Sequence, residues 1–216
     1  MPIKYISFDM DDTLFEEDYD KFIWYVEIPQ LYARKHKISF EKAIELVMKD
    51  YFSSPILERG EWYSVKFWFE HFGFEEDYRE IMQKYAHHVR MFDDVIPALT
   101  ELKKSHKLML VTNASREFIE VKLMANGLDK YFDKVFSATS DFARGKRATN
   151  VFKRILQLIH AEPGEVVHVG DSREFDYEKP RSIGIKAILI DRKGKEKGED
   201  VIHSLPELIK IIRKMD

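Results

Sequence analysis

The chain has 216 residues, 44% apolar and 13% aromatic, enough for one large domain or for a core domain carrying an insert. Its net charge of −3 argues against nucleic acid or an anionic membrane as a partner. There is no cysteine, so disulfides, thiolate catalysis and cysteine-ligated zinc are excluded. The opening lacks the basic and then long apolar pattern of a secretory leader, and no apolar run is long enough to span a bilayer, so a soluble cytoplasmic protein is expected. Charged residues at 34% with few Asn or Gln lean toward a heat-adapted source.

The apolar run from Ile3 to Phe8 reads as a buried strand. Directly after it come Asp9-Met10-Asp11-Asp12-Thr13-Leu14, three carboxylates within four residues at the carboxyl end of that strand, where open parallel sheets bind ligands. Taken alone, the stretch is equally readable as an acidic turn with Thr13 as a helix cap. From Phe15 to about Arg90 helical periodicity takes over, near Tyr19–His36, Phe40–Tyr51, Trp62–Phe72 and Asp77–Val89. Ser39 suits an N-cap and Gly73 a stop, and Pro29 is expected to kink or split the first helix. All three tryptophans, Trp24, Trp62 and Trp68, fall in this block. It reads as a helical subdomain, residues 15–90, inserted into a core made of residues 1–14 and 91–216. The pair His87-His88 is no metal site by this pattern, because adjacent residues face different sides of a helix.

From Met91 the pattern is regular α/β. Helices are predicted at Asp94–Ser105, Arg116–Asn126 (closed by Gly127) and Ala148–His160, with a short one near Glu178–Ile183. Strands are predicted at Lys107–Val111, Lys134–Ala138, Glu165–Val169 and Lys186–Ile190. Arg192–Asp200 reads as a solvated charged loop, and Ser204-Leu205-Pro206-Glu207 as a capping box opening a last helix. Strands alternating with helices imply a parallel, Rossmann-like α/β sheet.

Polar residues gather at the predicted strand ends: Asp9 and Asp11, Thr112 and Asn113, Asp171 with Asp176 beyond it, and Lys146 in the loop before a helix. In a parallel sheet these positions share one edge. Four acidic groups meeting there repel one another unless a cation neutralises them. Hard carboxylate oxygens favour Mg²⁺. A divalent ion beside a lysine and hydroxyl donors is what a phosphate dianion needs before a carboxylate can attack it.

Asp9-Met10-Asp11-Asp12-Thr13, Leu110-Val111-Thr112-Asn113, Lys146 with Phe152, and Gly170-Asp171 with Asp176 resemble, in that order, the four motifs of the haloacid dehalogenase superfamily. The helical block after the first motif resembles its C1-type cap. The resemblance implies Asp9 as nucleophile, Asp11 as acid and base, and Thr112 with Asn113 as phosphate ligands. It implies Lys146 as the group holding Asp9 and the phosphate together. Mg²⁺ would be held by Asp9, the Asp11 carbonyl and Asp171, with Asp176 direct or through water, and Thr13 would orient Asp11. Two positions depart from the family pattern: Arg147 stands where proline often follows the lysine, and Phe175 where asparagine often precedes the last aspartate. The expected activity is a Mg²⁺-dependent phosphatase on a small phosphorylated metabolite, in a monomer or homodimer, with Arg59 contacting the non-phosphate end of the substrate. The alternatives are a mutase-type phosphoryl transferase, a 2-haloacid dehalogenase, which needs neither metal nor Asp11, and a binding protein that has lost the reaction.

Overall fold

The computed structural model describes residues 1–53, 60–143, 146 and 150–215. The chain begins with strand β1 (Tyr5–Phe8) and then runs through α1 (Asp18–Phe22), α2 (Ile28–His36), α3 (Phe40–Tyr51), α4 (Val65–Phe72) and α5 (Tyr78–Lys84) before the second strand. The remainder alternates: α6 (Val95–Leu102), β2 (Lys107–Thr112), α7 (Arg116–Asn126), β3 (Lys134–Ser137), α8 (Ala138–Phe142), α9 (Asn150–Ile159), β4 (Val166–Gly170), α10 (Lys179–Arg181), β5 (Lys186–Ile190), β6 (Val201–Ile202) and α11 (Leu205–Met215). No described helix is long and apolar enough to cross a membrane.

All strand pairs are parallel, in the order β3-β2-β1-β4-β5-β6. Phe8 lies opposite Leu110 on one side and Val169 on the other. That register brings the residues after β1, β2 and β4 level at the carboxyl edge, beside the switch point between β1 and β4 where the chain reverses its direction of sheet growth. Alternation along β2 sends Leu108 and Leu110 to one core with α6, α7 and α11, and Met109 and Val111 to a second core with α9. The first core is continuous with the interior of the helical block, through Tyr19, Ile23 and Trp68.

Two chain segments join that block to the sheet. They pair antiparallel: Glu16 N–H donates to Arg90 O at 2.9 Å, and Phe92 N–H to Leu14 O at 3.1 Å. Ser39 caps α3 by accepting the Lys42 N–H, and Gly73 and Gly127 end α4 and α7 in the left-handed conformation.

One local expectation is met and two change. Pro29 splits its helix: α2 starts at Ile28, and the residues before it, Ile23–Glu27, form a π-helix in which Ile28 N–H donates to Ile23 O. The looser turn gives room for a ring that would otherwise crowd the carbonyl four residues back. The polar stretch after β3 contains α8, whose start is capped when Ser137 Oγ accepts the Ser140 N–H at 3.0 Å. At the last helix Glu207 does not complete a reciprocal box; its carboxylate accepts from the Ser204 hydroxyl at 2.8 Å and the His203 N–H at 3.3 Å.

Trp68 is fully buried. Its Nε1 donates to Trp62 O at 2.8 Å, and its ring meets those of Tyr51 and Phe72 at 4.6 and 5.5 Å. Trp68→Ala is expected to cost ~3–5 kcal/mol, the range for emptying a large aromatic site, read as a lowered midpoint of urea unfolding.

Candidate active site at the carboxyl edge of the sheet

Asp9 follows β1 directly, and its N–H still donates to Val169 O at 2.8 Å, so its position is fixed by the sheet ladder. The chain then turns sharply. Leu14 and Phe15 N–H both donate to Met10 O, at 2.8 and 3.1 Å, and Asp12 takes φ +50°, which aspartate tolerates better than most residues. Asp12 itself turns outward and pairs with Lys193 at 2.7 Å. Arg192 donates to Thr13 O and to Asp94 Oδ2, each at 2.7 Å. The loop after β5 therefore braces this turn instead of being merely solvated.

Lys146 is buried, although its neighbours in sequence are charged and polar. Its ammonium donates to Asp9 Oδ1 and, at 2.5 Å, to Asp176 Oδ1. Its backbone N–H donates to Asn113 Oδ1 at 2.6 Å, so Asn113 holds the segment that delivers the lysine. Thr112 Oγ1 accepts the Ala114 N–H at 3.1 Å. Behind Asp176 stands a pair that sequence reasoning did not single out. His168 Nε2 is 3.0 Å from Asp176 Oδ1, and its Nδ1 is 2.9 Å from Ser7 Oγ. Burial keeps His168 below its ordinary pKa and hence neutral. The neutral ring donates from Nε2 to the carboxylate and accepts the Ser7 hydroxyl proton at Nδ1. Ser7 and His168 are direct neighbours in the β1–β4 register.

Asp9, Asp171 and Asp176 each offer an oxygen, all within 4.8 Å of one another. Burial, reinforced by Asp176, Asp171 and Asp11, pushes the Asp9 carboxyl well above the usual range against the pull of Lys146. Partial desolvation and the Asp176 charge raise Asp171, the exposed member of the set, to about 7. Burial opposes ionisation of Asp176 too, but Lys146 and His168 outweigh it and hold Asp176 down at about 2. Excess negative charge in a compact set of hard oxygens is a donor set for a divalent cation. Gly170 makes room for it: a Cβ there would lie 2.6 Å from the Cβ and Oδ2 of Asp176.

Asp11 lies across the turn, where Lys122 donates to its Oδ1 and to Asp20 Oδ2. Neither Lys122 nor Asp20 was picked out by pattern. Burial, with the Asp11 charge, raises Asp20 to about 8 despite Lys122. Thr13, expected to orient Asp11, is buried with its Oγ1 unbonded among the described residues. Arg59 lies outside the described residues.

The sequence matches the family described as haloacid dehalogenase-like hydrolase over residues 3–184. It is 33% identical to the mouse N-acylneuraminate-9-phosphatase over 50% of this chain, which is 44% of that relative's length. It is 26% identical to the GMP/IMP nucleotidase of Escherichia coli over 77% of this chain and 73% of the relative. Among solved structures, an HAD phosphatase from Thermococcus onnurineus superposes with a TM-score of 0.82 at 30% identity, covering 97% of this chain and 98% of the other.

Two outcomes follow from the geometry. Gly170→Ala must displace Asp176 and is expected to weaken Mg²⁺ binding about tenfold or more, as is typical when the support of a metal ligand is lost; titration calorimetry reads this directly. Asp171, raised to about 7, is protonated below that pH and must give up its proton to bind a cation. Mg²⁺ affinity is therefore expected to fall as pH drops from 8 to 6, with protons released on binding. Affinity that does not change over this interval would contradict the assignment.

Proposed function

The chain belongs to the haloacid dehalogenase-like hydrolase family, and we propose that it is a Mg²⁺-dependent phosphatase acting on a small phosphate ester. The observation that carries this reading is the buried Lys146 ammonium bonded at once to Asp9 and Asp176, beside the Asp9–Asp171–Asp176 set. Asp9, Asp171, Asp176 and the Asp11 carbonyl would hold the ion, and the crowded carboxylates fit that role. When bound, it supplies positive charge for the phosphoryl oxygens and for the carboxylates around them.

Asp9 presents one oxygen to Lys146 and keeps the other for attack on phosphorus. Attack forms the Asp9 O–P bond and breaks the P–O bond to the leaving alcohol, and Asp11 donates the proton that the alkoxide takes. Water, deprotonated by Asp11, then attacks the phosphorus of the acyl phosphate and releases Asp9 and inorganic phosphate. Lys146 screens the like charges of Asp9 and the incoming dianion. The Thr112 hydroxyl and the Asn113 side-chain NH₂ donate to the phosphoryl oxygens, since their acceptor atoms are already engaged with backbone N–H groups. The helical block, joined through the paired segments 14–16 and 90–92, acts as a cap that excludes water and limits substrates to small esters. Asp11 also disfavours a dehalogenase, whose halide leaving group needs no proton.

Wild-type protein is expected to release phosphate from p-nitrophenyl phosphate only with Mg²⁺, and EDTA should abolish the activity. Asp9→Asn should remove turnover while circular dichroism stays unchanged. Asp11→Asn should cost about 10²–10³-fold on an alkyl phosphate and less on p-nitrophenyl phosphate, whose leaving group is already acidic. Full turnover in metal-free buffer, or by Asp9→Asn, would overturn the proposal.

A further inference from the structure

Lys122 is a fully buried lysine in the middle of α7. The chemistry proposed above gives it no part. Its ammonium is bonded to two carboxylates, one from each of two units: Asp11, on the turn after β1, and Asp20, on α1 in the helical block. The rings of Phe15 and Phe118 lie 6.0 Å from Nζ, and the Tyr19 ring meets Phe118 edge-on at 5.8 Å. The Lys122 side chain is fully buried, and its ammonium reaches two carboxylates instead of solvent. It was taken out of water at a cost that only its two carboxylates offset.

We propose that Lys122 and Asp20 position Asp11 for proton transfer, so that the acid is aligned only while α1 is docked on the core. This inference rests on the phosphatase reading. The ammonium fixes Asp11 Oδ1, which leaves the second carboxylate oxygen to face the leaving group. Asp20 anchors the ammonium from the other side. Its remaining oxygen, Oδ1, is buried without a hydrogen bond among the described residues, and the Asp11 carboxylate lies close enough to raise its pKa. The link between Asp11 and α1 runs through the turn that carries the joining segment 14–16. Docking of the helical block and orientation of the acid are in this way a single event. Lys122 touches no reacting atom and acts through Asp11.

The test uses full-length protein with two substrates, p-nitrophenyl phosphate and an alkyl phosphate such as glycerol 2-phosphate. Lys122→Met is expected to lower the ratio of kcat on the alkyl ester to kcat on the nitrophenyl ester about tenfold or more, since misplacing a catalytic group is typically worth up to 10²-fold. In the double variant Lys122→Met/Asp11→Asn, the loss on the alkyl ester is expected to be no larger than for Asp11→Asn alone. A merely structural lysine would lower both rates together and add to the Asp11→Asn loss, and either result overturns the inference. Removing a buried cation between two carboxylates can prevent folding, so Asp20→Asn, which keeps the side-chain shape and the Lys122–Asp11 pair, is the second variant. It is expected to move the same ratio about threefold in the same direction, again without adding to Asp11→Asn. An unchanged ratio in a folded Asp20→Asn protein defeats the inference even if Lys122→Met is insoluble. Wild-type turnover of p-nitrophenyl phosphate that Asp9→Asn abolishes shows that any such failure belongs to this inference alone; without that turnover both readings fall.

Discussion

The site depends on one buried ammonium. Lys146 lies among groups that would otherwise repel one another, and its Nζ holds Asp9 and Asp176 in the same grip. Burying a cation is costly, and replacing such pairs with apolar residues is often neutral for stability. The arrangement is therefore better explained by what it fixes than by what it stabilises. The ammonium sets the direction of Asp9, while His168 and the Ser172 N–H, at 3.0 and 3.1 Å, set that of Asp176. Each oxygen of Asp176 then has a protein donor. The carboxylate is held in one rotamer, with its charge stabilised at a low pKa. Asp171, with less to hold it, keeps a carboxyl that titrates near 7. Asp176 and Asp171 thus differ in pKa because their donors differ.

Much of this was legible in the sequence, because two of its signals are local. An apolar run ending in acidic residues names both a buried strand and its carboxyl end, and five apolar runs with helices between them imply a parallel sheet whose ends coincide. The predicted bounds of α7 and β5 match those in the structure. What escaped was set by register and packing. His168 sits in the run Val166–Gly170, where it reads as one polar letter in a buried strand. Its meaning comes from Ser7, a neighbour only once β1 and β4 are known to be adjacent. Lys122 shares the buried side of α7 with Phe118, Ile119 and Leu123. A lysine on an apolar stripe was the available signal, but its partner Asp11 lies 111 positions away. The short α8, Ala-Thr-Ser-Asp-Phe, has weak helix formers at every position after Ala138. It holds because Asp141 accepts the Ser137 N–H at 2.9 Å and pairs with Arg116. Strand β6, at two residues, is too short to leave a period.

The two buried lysines divide the charge of the crevice unequally, and that division explains the layout. Around the turn after β1, Lys146 is bonded to Asp9 and Asp176 and Lys122 to Asp11 and Asp20, while Lys193 at the rim pairs with Asp12. Burial and mutual repulsion disfavour ionisation of so many carboxylates beside so few cations, and they raise the pKa of Asp9, Asp20 and Asp171. The remedies differ by side. Around Lys146, Asp9 and Asp176 are buried and Asp171 is exposed, so a divalent cation can take the place of the proton that Asp171 holds below about pH 7. Around Lys122 the ammonium is fully buried between Asp11 and Asp20, whose side chains are 27% and 16% exposed. One cluster is therefore suited to holding metal and phosphate, the other to fixing Asp11. They meet at the turn after β1, where Asp9 and Asp11 are separated by a single residue. In a strand two such residues would point to the same face of the sheet. The left-handed turn at Asp12 ends the strand at that point, and the two carboxylates reach different lysines from one short loop.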